Sequence, residues 1–211
     1  MSNEPEREIL YLTDPMCSWC WGFAPVIDAI RSEFGHTVPV RLVVGGLRVG
    51  TREAMTPEVR EFVLHHWREV QNTTGQEFRF DFEMPDGFTY DTEPSCRAVV
   101  AVRRIASEKT FAYFHRLQRA FYLENRDVTD FEVLAGEAAE VGIDSTRFRT
   151  LFTDPELKNE TVGDFMFSTN LGIRGFPSVV LKCDDEYRLL TIGYRAFYVL
   201  QGRISEWLAE A

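Results

Sequence analysis

Cys17 and Cys20 stand three positions apart, directly after the apolar run Ile9-Leu10-Tyr11-Leu12. The order is strand, Cys-x-x-Cys, helix, and few folds accommodate it. This spacing brings two sulfurs close enough to bond at a helix N-terminus. There the first backbone N–H groups lack partners within the helix, and the positive end of the helix dipole favours a thiolate. A dithiol that opens and closes in such a place is a redox centre. Cys17, at the cap, is expected to be the exposed nucleophile. Cys20, one turn further in, is expected to resolve the mixed disulfide that forms.

Half of a zinc site would show the same spacing, but zinc needs two more Cys or His ligands nearby. His36, His65, His66 and His115 form no such pair, since His65 and His66 are adjacent and point to different helix faces. Cys96 and Cys183 stand alone, and each is expected to be a small buried apolar residue rather than a second reactive thiol. No metal is expected.

Around the dithiol, residues 8–13 read as a buried strand, residues 17–34 as a helix stopped by Gly35, and residues 38–47 as a second strand. A crossover of that length implies a parallel pair joined right-handed. From about residue 50 to 153 the pattern is helical. Thr56-Pro57 starts a helix with Val59, Phe62, Val63, Trp67 and Val70 on one face, and Thr92 or Glu93 starts another through Ala106. Phe111, Phe114, Leu117 and Phe121 stripe a third. Thr129-Asp130-Phe131-Glu132 has the form of a capping box for a fourth, ending at Gly142, and Asp144–Phe152 make a short fifth. The segment Phe78–Phe82 is expected to be irregular and pinned to the core. Asp154-Pro155 then opens a helix to Leu171, residues 178–183 and 187–193 form a hairpin about Asp184-Asp185, and a final helix from Ala196 buries Phe197, Leu200, Ile204, Trp207 and Leu208.

The formal net charge of −10 over 211 residues, with no basic patch, excludes nucleic acid as the expected partner. Apolar residues make up 45% of the chain, enough for a substantial core. The opening residues show neither a basic start nor an apolar stretch, and no apolar run reaches the ~20 residues of a membrane span. No leader and no membrane association are expected, and the expected compartment is the cytoplasm.

A second constellation follows far along the chain: Gly172-Ile173-Arg174-Gly175-Phe176-Pro177-Ser178, with a proline entering a strand. Taken with the dithiol, with Pro25 five residues after Cys20 and with Gly193 in the last strand, it resembles the thioredoxin superfamily. The long helical block between two α/β halves resembles the DsbA family, and Asp14-Pro15-Met16-Cys17-Ser18-Trp19-Cys20 is similar to that family's cytosolic, FrnE-like branch. The resemblance implies an α/β, thioredoxin-like fold with a large all-helical insertion. Its discontinuous thioredoxin-like domain would cover residues 1–48 and 154–211, and its insertion residues 49–153. It further implies that the Pro177 loop faces Cys17 and Cys20, that the backbone of Phe176 pairs with an extended substrate, and that Ser18 and Trp19 tune the nucleophile and touch substrate.

Two departures from the family pattern matter. Many members carry a buried acid six positions before the first cysteine, where this chain has Tyr11, so proton transfer at Cys20 needs another group or water. The residues between the cysteines, Ser18 and Trp19, include no histidine, and a less oxidising pair than that of a periplasmic oxidase is expected. The implied function is a thiol–disulfide oxidoreductase of the reductase or isomerase type, acting on disulfide-containing proteins or low-molecular-weight thiols. It would need no cofactor beyond the Cys17–Cys20 pair, with glutathione as a candidate co-substrate. The alternative is a glutathione-dependent transferase or isomerase of the kappa-class or 2-hydroxychromene-2-carboxylate isomerase type, though these usually carry serine where Cys17 stands. A third reading is a non-catalytic, peptide-binding module.

Overall fold

In the computed structural model, which describes residues 6–210, a four-stranded sheet runs in the order β2-β1-β3-β4. β1 (Arg7–Thr13) pairs parallel with β2 (Val40–Val44) and antiparallel with β3 (Ser178–Cys183), which turns back into β4 (Glu186–Ile192). β1 lies inside the sheet and is covered on both faces, so Ile9, Leu10, Tyr11 and Leu12 expose none of their surface. Alternation along the strand sends Ile9 and Tyr11 into the main core, and Leu10 and Leu12 toward a smaller cluster with Val43, Ile173 and Val180. Between β3 and β4 the register shifts: Val179 faces Thr191 while Val180 faces Leu189, so Leu190 is the extra residue of a bulge.

β2 is shorter than the run 38–47 suggests. Gly46 adopts φ +67°, which takes the backbone out of strand conformation just past Gly45. The helix expected over 17–34 comes in two pieces, α1 (Ser18–Gly22) and α2 (Ala24–Phe34). Pro25 lies in the first turn of α2, where its missing N–H costs no hydrogen bond, and Phe23 forms the joint. Gly35 ends α2 in right-handed conformation at φ −64°, so no left-handed cap is involved.

Helices α3 (Pro57–Thr74), α4 (Glu93–Ile105), α5 (Thr110–Glu124), α6 (Phe131–Glu140) and α7 (Ser145–Phe152) separate the two parts of the sheet, and α8 (Pro155–Asn170) leads back to β3. On α3 the buried face is Val63, Leu64, Trp67 and Val70. Phe62 was expected there, but it sits beside that stripe, is 63% exposed and packs its ring on His66 instead. α6 is capped by Asp130, which accepts from the Glu132 and Val133 amides. Glu132 pairs with Arg149 rather than reaching back, so the expected capping box does not close. The α5 stripe of Phe111, Phe114, Leu117 and Phe121 is buried as expected. The C-terminal α9 (Phe197–Ala209) buries Leu200, Ile204 and Trp207, while Phe197 and Leu208 are only half covered.

The irregular segment 78–82 is indeed pinned to the core: the Phe78 and Phe82 rings lie 5.3 Å and 4.8 Å from that of Trp67. The main core is one continuous cluster from Tyr11 through Phe23 to Phe114 and Phe121, so the sheet and the helical segment share it. Among the described residues no helix is long and apolar enough to cross a membrane.

Candidate active site

Cys17 is the N-cap of α1, in extended conformation at φ −87°, ψ 114°. Its sulfur accepts the Cys20 backbone N–H at 3.4 Å, and its thiol faces the Phe176 carbonyl at 3.5 Å. No bond joins the two sulfurs in this structure. Because α1 has only five residues, the stabilising element at the sulfur is this local N–H donor rather than the dipole of a long helix. Cys20 exposes nothing and Cys17 only 4% of its surface. The nucleophile expected to be exposed is therefore almost covered, since the Phe176 carbonyl closes over it.

The Phe176–Pro177 peptide bond is cis. The loop is tied to β4 and to itself: Gly193 N–H donates to the Pro177 carbonyl at 2.7 Å, and the Ser178 hydroxyl donates to the Gly175 carbonyl at 2.8 Å. The Phe176 ring lies across the backbone of Gly45, on the strand end beside β1. Cys17, Cys20 and the Phe176–Pro177 loop are thus brought together from opposite parts of the chain. Ser18 and Trp19 are half-buried next to the sulfurs, with Trp19 leaning on the core. Leu47, Val49 and Ile192 are each close to half exposed. A Cβ at Gly46 would meet Val49 and one at Gly175 would meet Ile192, so Ile192 edges the proline loop and Val49 edges the Gly45–Gly46 turn on which Phe176 lies.

Beneath Cys17 lies a polar support that the sequence pattern did not single out. The fully buried Asp14 carboxylate accepts the Leu47 amide at 2.7 Å, the Met16 amide at 2.9 Å and the Cys96 thiol at 3.4 Å. Burial raises the Asp14 pKa above the usual carboxylate value, while the Leu47 and Met16 amides pull it down. Burial and the neighbouring Asp14 push the Cys96 thiol well up, so it serves as a hydrogen-bond donor. The Tyr90 hydroxyl donates to the Met16 carbonyl at 2.5 Å, one residue before Cys17, and the Arg48 guanidinium lies 5.5 Å from the Tyr90 ring centre. Asp14 could have been found from its place in the 14–20 motif. Tyr90 and Cys96 carry no local signal, because the helical segment delivers them.

On the other side, burial pushes the Cys20 thiol well above its ordinary value. Tyr11 and Thr13 lie below it on the same face of β1, both fully buried. Among the described residues no group of three or more His, Cys, Asp or Glu side chains is placed to hold a metal ion.

The family model described as Thioredoxin matches residues 10–201 of the chain. The structure is similar to that of a proposed protein disulfide isomerase from Nitrosomonas europaea, with 42% identity, 98% of each chain covered and a TM-score of 0.90. It is also similar to the cytosolic disulfide reductase DsbM from Pseudomonas aeruginosa, with 26% identity over 97% of this chain and 100% of that one, TM-score 0.79. The structure of DsbM with GSH aligns at 25% identity over 95% and 98% of the two chains, TM-score 0.77. Among curated proteins, the ClpXP adapter protein SpxH of Halalkalibacterium halodurans is 25% identical over 198 residues, 91% of this chain. The match covers 64% of that relative, so the chain spans less than two thirds of its length.

Proposed function

This chain belongs to the thioredoxin family, with the DsbA-like form of the fold, and we propose that it is a thiol–disulfide oxidoreductase working as a disulfide reductase. The observation that carries the proposal is the Cys17 sulfur. It sits on the Cys20 amide, faces the Phe176 carbonyl and has a second thiol one turn beneath it. Cys17, as thiolate, attacks one sulfur of a partner disulfide; that S–S bond breaks and the other half leaves as a thiol. Cys20 then attacks Cys17, the mixed disulfide breaks, and the partner departs fully reduced while Cys17 and Cys20 become a disulfide. Two molecules of a low-molecular-weight thiol such as glutathione return the pair to the dithiol, and the similarity to DsbM solved with GSH supports that donor.

Phe176 and Pro177 present backbone to an extended substrate, Ser18 and Trp19 flank the attacking sulfur, and the exposed apolar side chains of Ile192 and Val49 beside them suit a protein partner. The likeness to cytosolic DsbM supports a cytoplasmic setting. The reading is tested by following reduction of a protein disulfide with glutathione as donor. Cys17→Ser is expected to abolish turnover, and Cys20→Ser to stall with a partner bound through Cys17. Undiminished turnover in Cys17→Ser would refute it.

A second reading follows from the likeness to the ClpXP adapter protein SpxH, namely an adapter that binds a protein partner. It predicts partner binding that persists in the Cys17→Ser, Cys20→Ser double variant, where the reductase reading predicts loss of function.

A further inference from the structure

The Tyr11 and Thr13 hydroxyls are both buried and neither has a hydrogen-bond partner. Buried polar groups in folded proteins are nearly always paired, so two orphans on one strand face point to a use. They stand two residues apart on β1, so strand alternation puts both on one face, the face on which Tyr11 shares a core cluster with Trp21 of the Cys20 helix and Thr13 comes within reach of the Cys20 sulfur. The Tyr11 ring is fixed by stacking on Phe23, three residues beyond Cys20, at 5.8 Å, and on Phe111 at 6.4 Å. Cys20 is the ionisable neighbour that acts most strongly on the Tyr11 hydroxyl. The Thr13 hydroxyl is within hydrogen-bond reach of both the Tyr11 hydroxyl and the Cys20 sulfur, and that reach lowers their proton affinities, but neither contact has the alignment of a completed bond.

The second chemical step makes a demand on this spot. Cys20 must carry negative charge to attack Cys17, yet it is fully buried and its charged form is the one burial opposes. After burial, the largest influences on it come from Cys17, the Thr13 hydroxyl and the Asp14 backbone amide. The titratable groups facing it are Cys17 on α1, Tyr11 on β1 and Tyr122 on α5, with Asp28 of α2 acting on Tyr11.

We infer that Tyr11 and Thr13 are positioning residues for resolution: their hydroxyls donate hydrogen bonds to the Cys20 sulfur as it becomes a thiolate. The Cys20 S–H bond breaks, the new S–S bond forms to Cys17, and the bond between Cys17 and the partner breaks. The partner sulfur takes up the proton and leaves as a thiol, so no further oxidant or reductant enters. Unfilled in the thiol state, the two donors gain their acceptor only when charge develops, which favours the step over the resting state. This inference rests on the dithiol exchange proposed above.

The test uses Ellman's reagent on the full chain in a Cys183→Ser background, since Cys183 is partly exposed. Attack by Cys17 releases one thionitrobenzoate, and resolution by Cys20 releases a second. The first phase reports the proposed function and the second reports this inference. Tyr11→Phe and Thr13→Val are each expected to slow the second phase about tenfold, the scale of one hydrogen bond to a charged group, and to move its pH profile upward. The first phase should hold its rate, and Thr13→Ser should restore the second. A second phase at the parent rate in the Tyr11→Phe, Thr13→Val double variant overturns the inference, as does an equal loss in both phases. If the parent protein shows no first phase, the oxidoreductase reading itself fails, and this one with it.

Discussion

The Phe176 ring fills the volume that any side chain at Gly45 would need: a Cβ there would stand 1.9 Å from Phe176 Cζ. The carbonyl of that same residue lies 3.5 Å from the Cys17 sulfur. A missing side chain just past β2 thus lets the proline loop close to this distance from the Cys17 sulfur. Gly45→Ala is expected to push the loop outward and lower the rate of Cys17 attack by about tenfold or more, with an overpacking cost of about 1–3 kcal/mol. Phe176→Leu in the same chain should relieve most of that cost, because the two positions couple through one contact. Melting curves and attack rates of the two single variants and the double variant check this; strictly additive effects would contradict it.

Asp14 predicts a pH signature. Its folded-state pKa is raised by burial, so the folded protein holds that proton more tightly than the unfolded chain. The resulting stabilisation is fully present below the unfolded value of about 3.9 and is lost as pH rises through the folded value. Asp14→Asn has no such loss. The stability of the wild type relative to Asp14→Asn should therefore fall as pH climbs from about 4 toward neutrality. Urea denaturation across that range reads the difference, and a rising trend would refute the assignment.

Glu137 is fully buried and bridges Arg116 of α5 and Arg126 in the loop before α6. Removing the shared anion leaves both guanidinium groups without it, so Glu137→Gln is expected to cost about 3–5 kcal/mol. Chemical denaturation gives the value. Glutathione-linked activity at a temperature where the variant stays folded should be unchanged, since this bridge contacts neither sulfur in the structure.

The reduction potential should lie on the reducing side, below about −200 mV. Cys17 accepts a single N–H, at 3.4 Å, and no histidine lies between the cysteines, so the reduced form gains little extra stabilisation. Equilibration with glutathione buffers measures it, and a value near −120 mV would show the argument wrong.

How much of this was legible in the sequence differs from element to element. β1, the dithiol turn and the Phe176–Pro177 loop declare themselves through an apolar run, a two-cysteine spacing and a proline at a strand start. Those local signals sufficed for the fold and for the two sulfurs meeting the proline loop. Phe62 reads as part of the buried stripe because an aromatic next to a helical stripe carries the same composition as one within it, and only packing separates them. Phe23 reads as continuous helix because the effect of Pro25 on the preceding turn depends on where the first piece ends. Asp14, Cys96 and Tyr90 meet only in three dimensions. The Cys96 thiol and the Asp14 carboxylate are 82 positions apart, and nothing near either one announces the other.

The hydroxyl of Tyr90 and the thiol of Cys96 have a further consequence. Both come from the helical segment, and both grip the residues just before Cys17, one at the Met16 carbonyl and one at Asp14. The helices are therefore the bedplate of the reactive turn rather than a removable cover. Grafting this Cys-x-x-Cys onto a bare thioredoxin scaffold would transplant the sulfurs without their footing. Any redesign of its redox behaviour has to begin with residues far outside the motif.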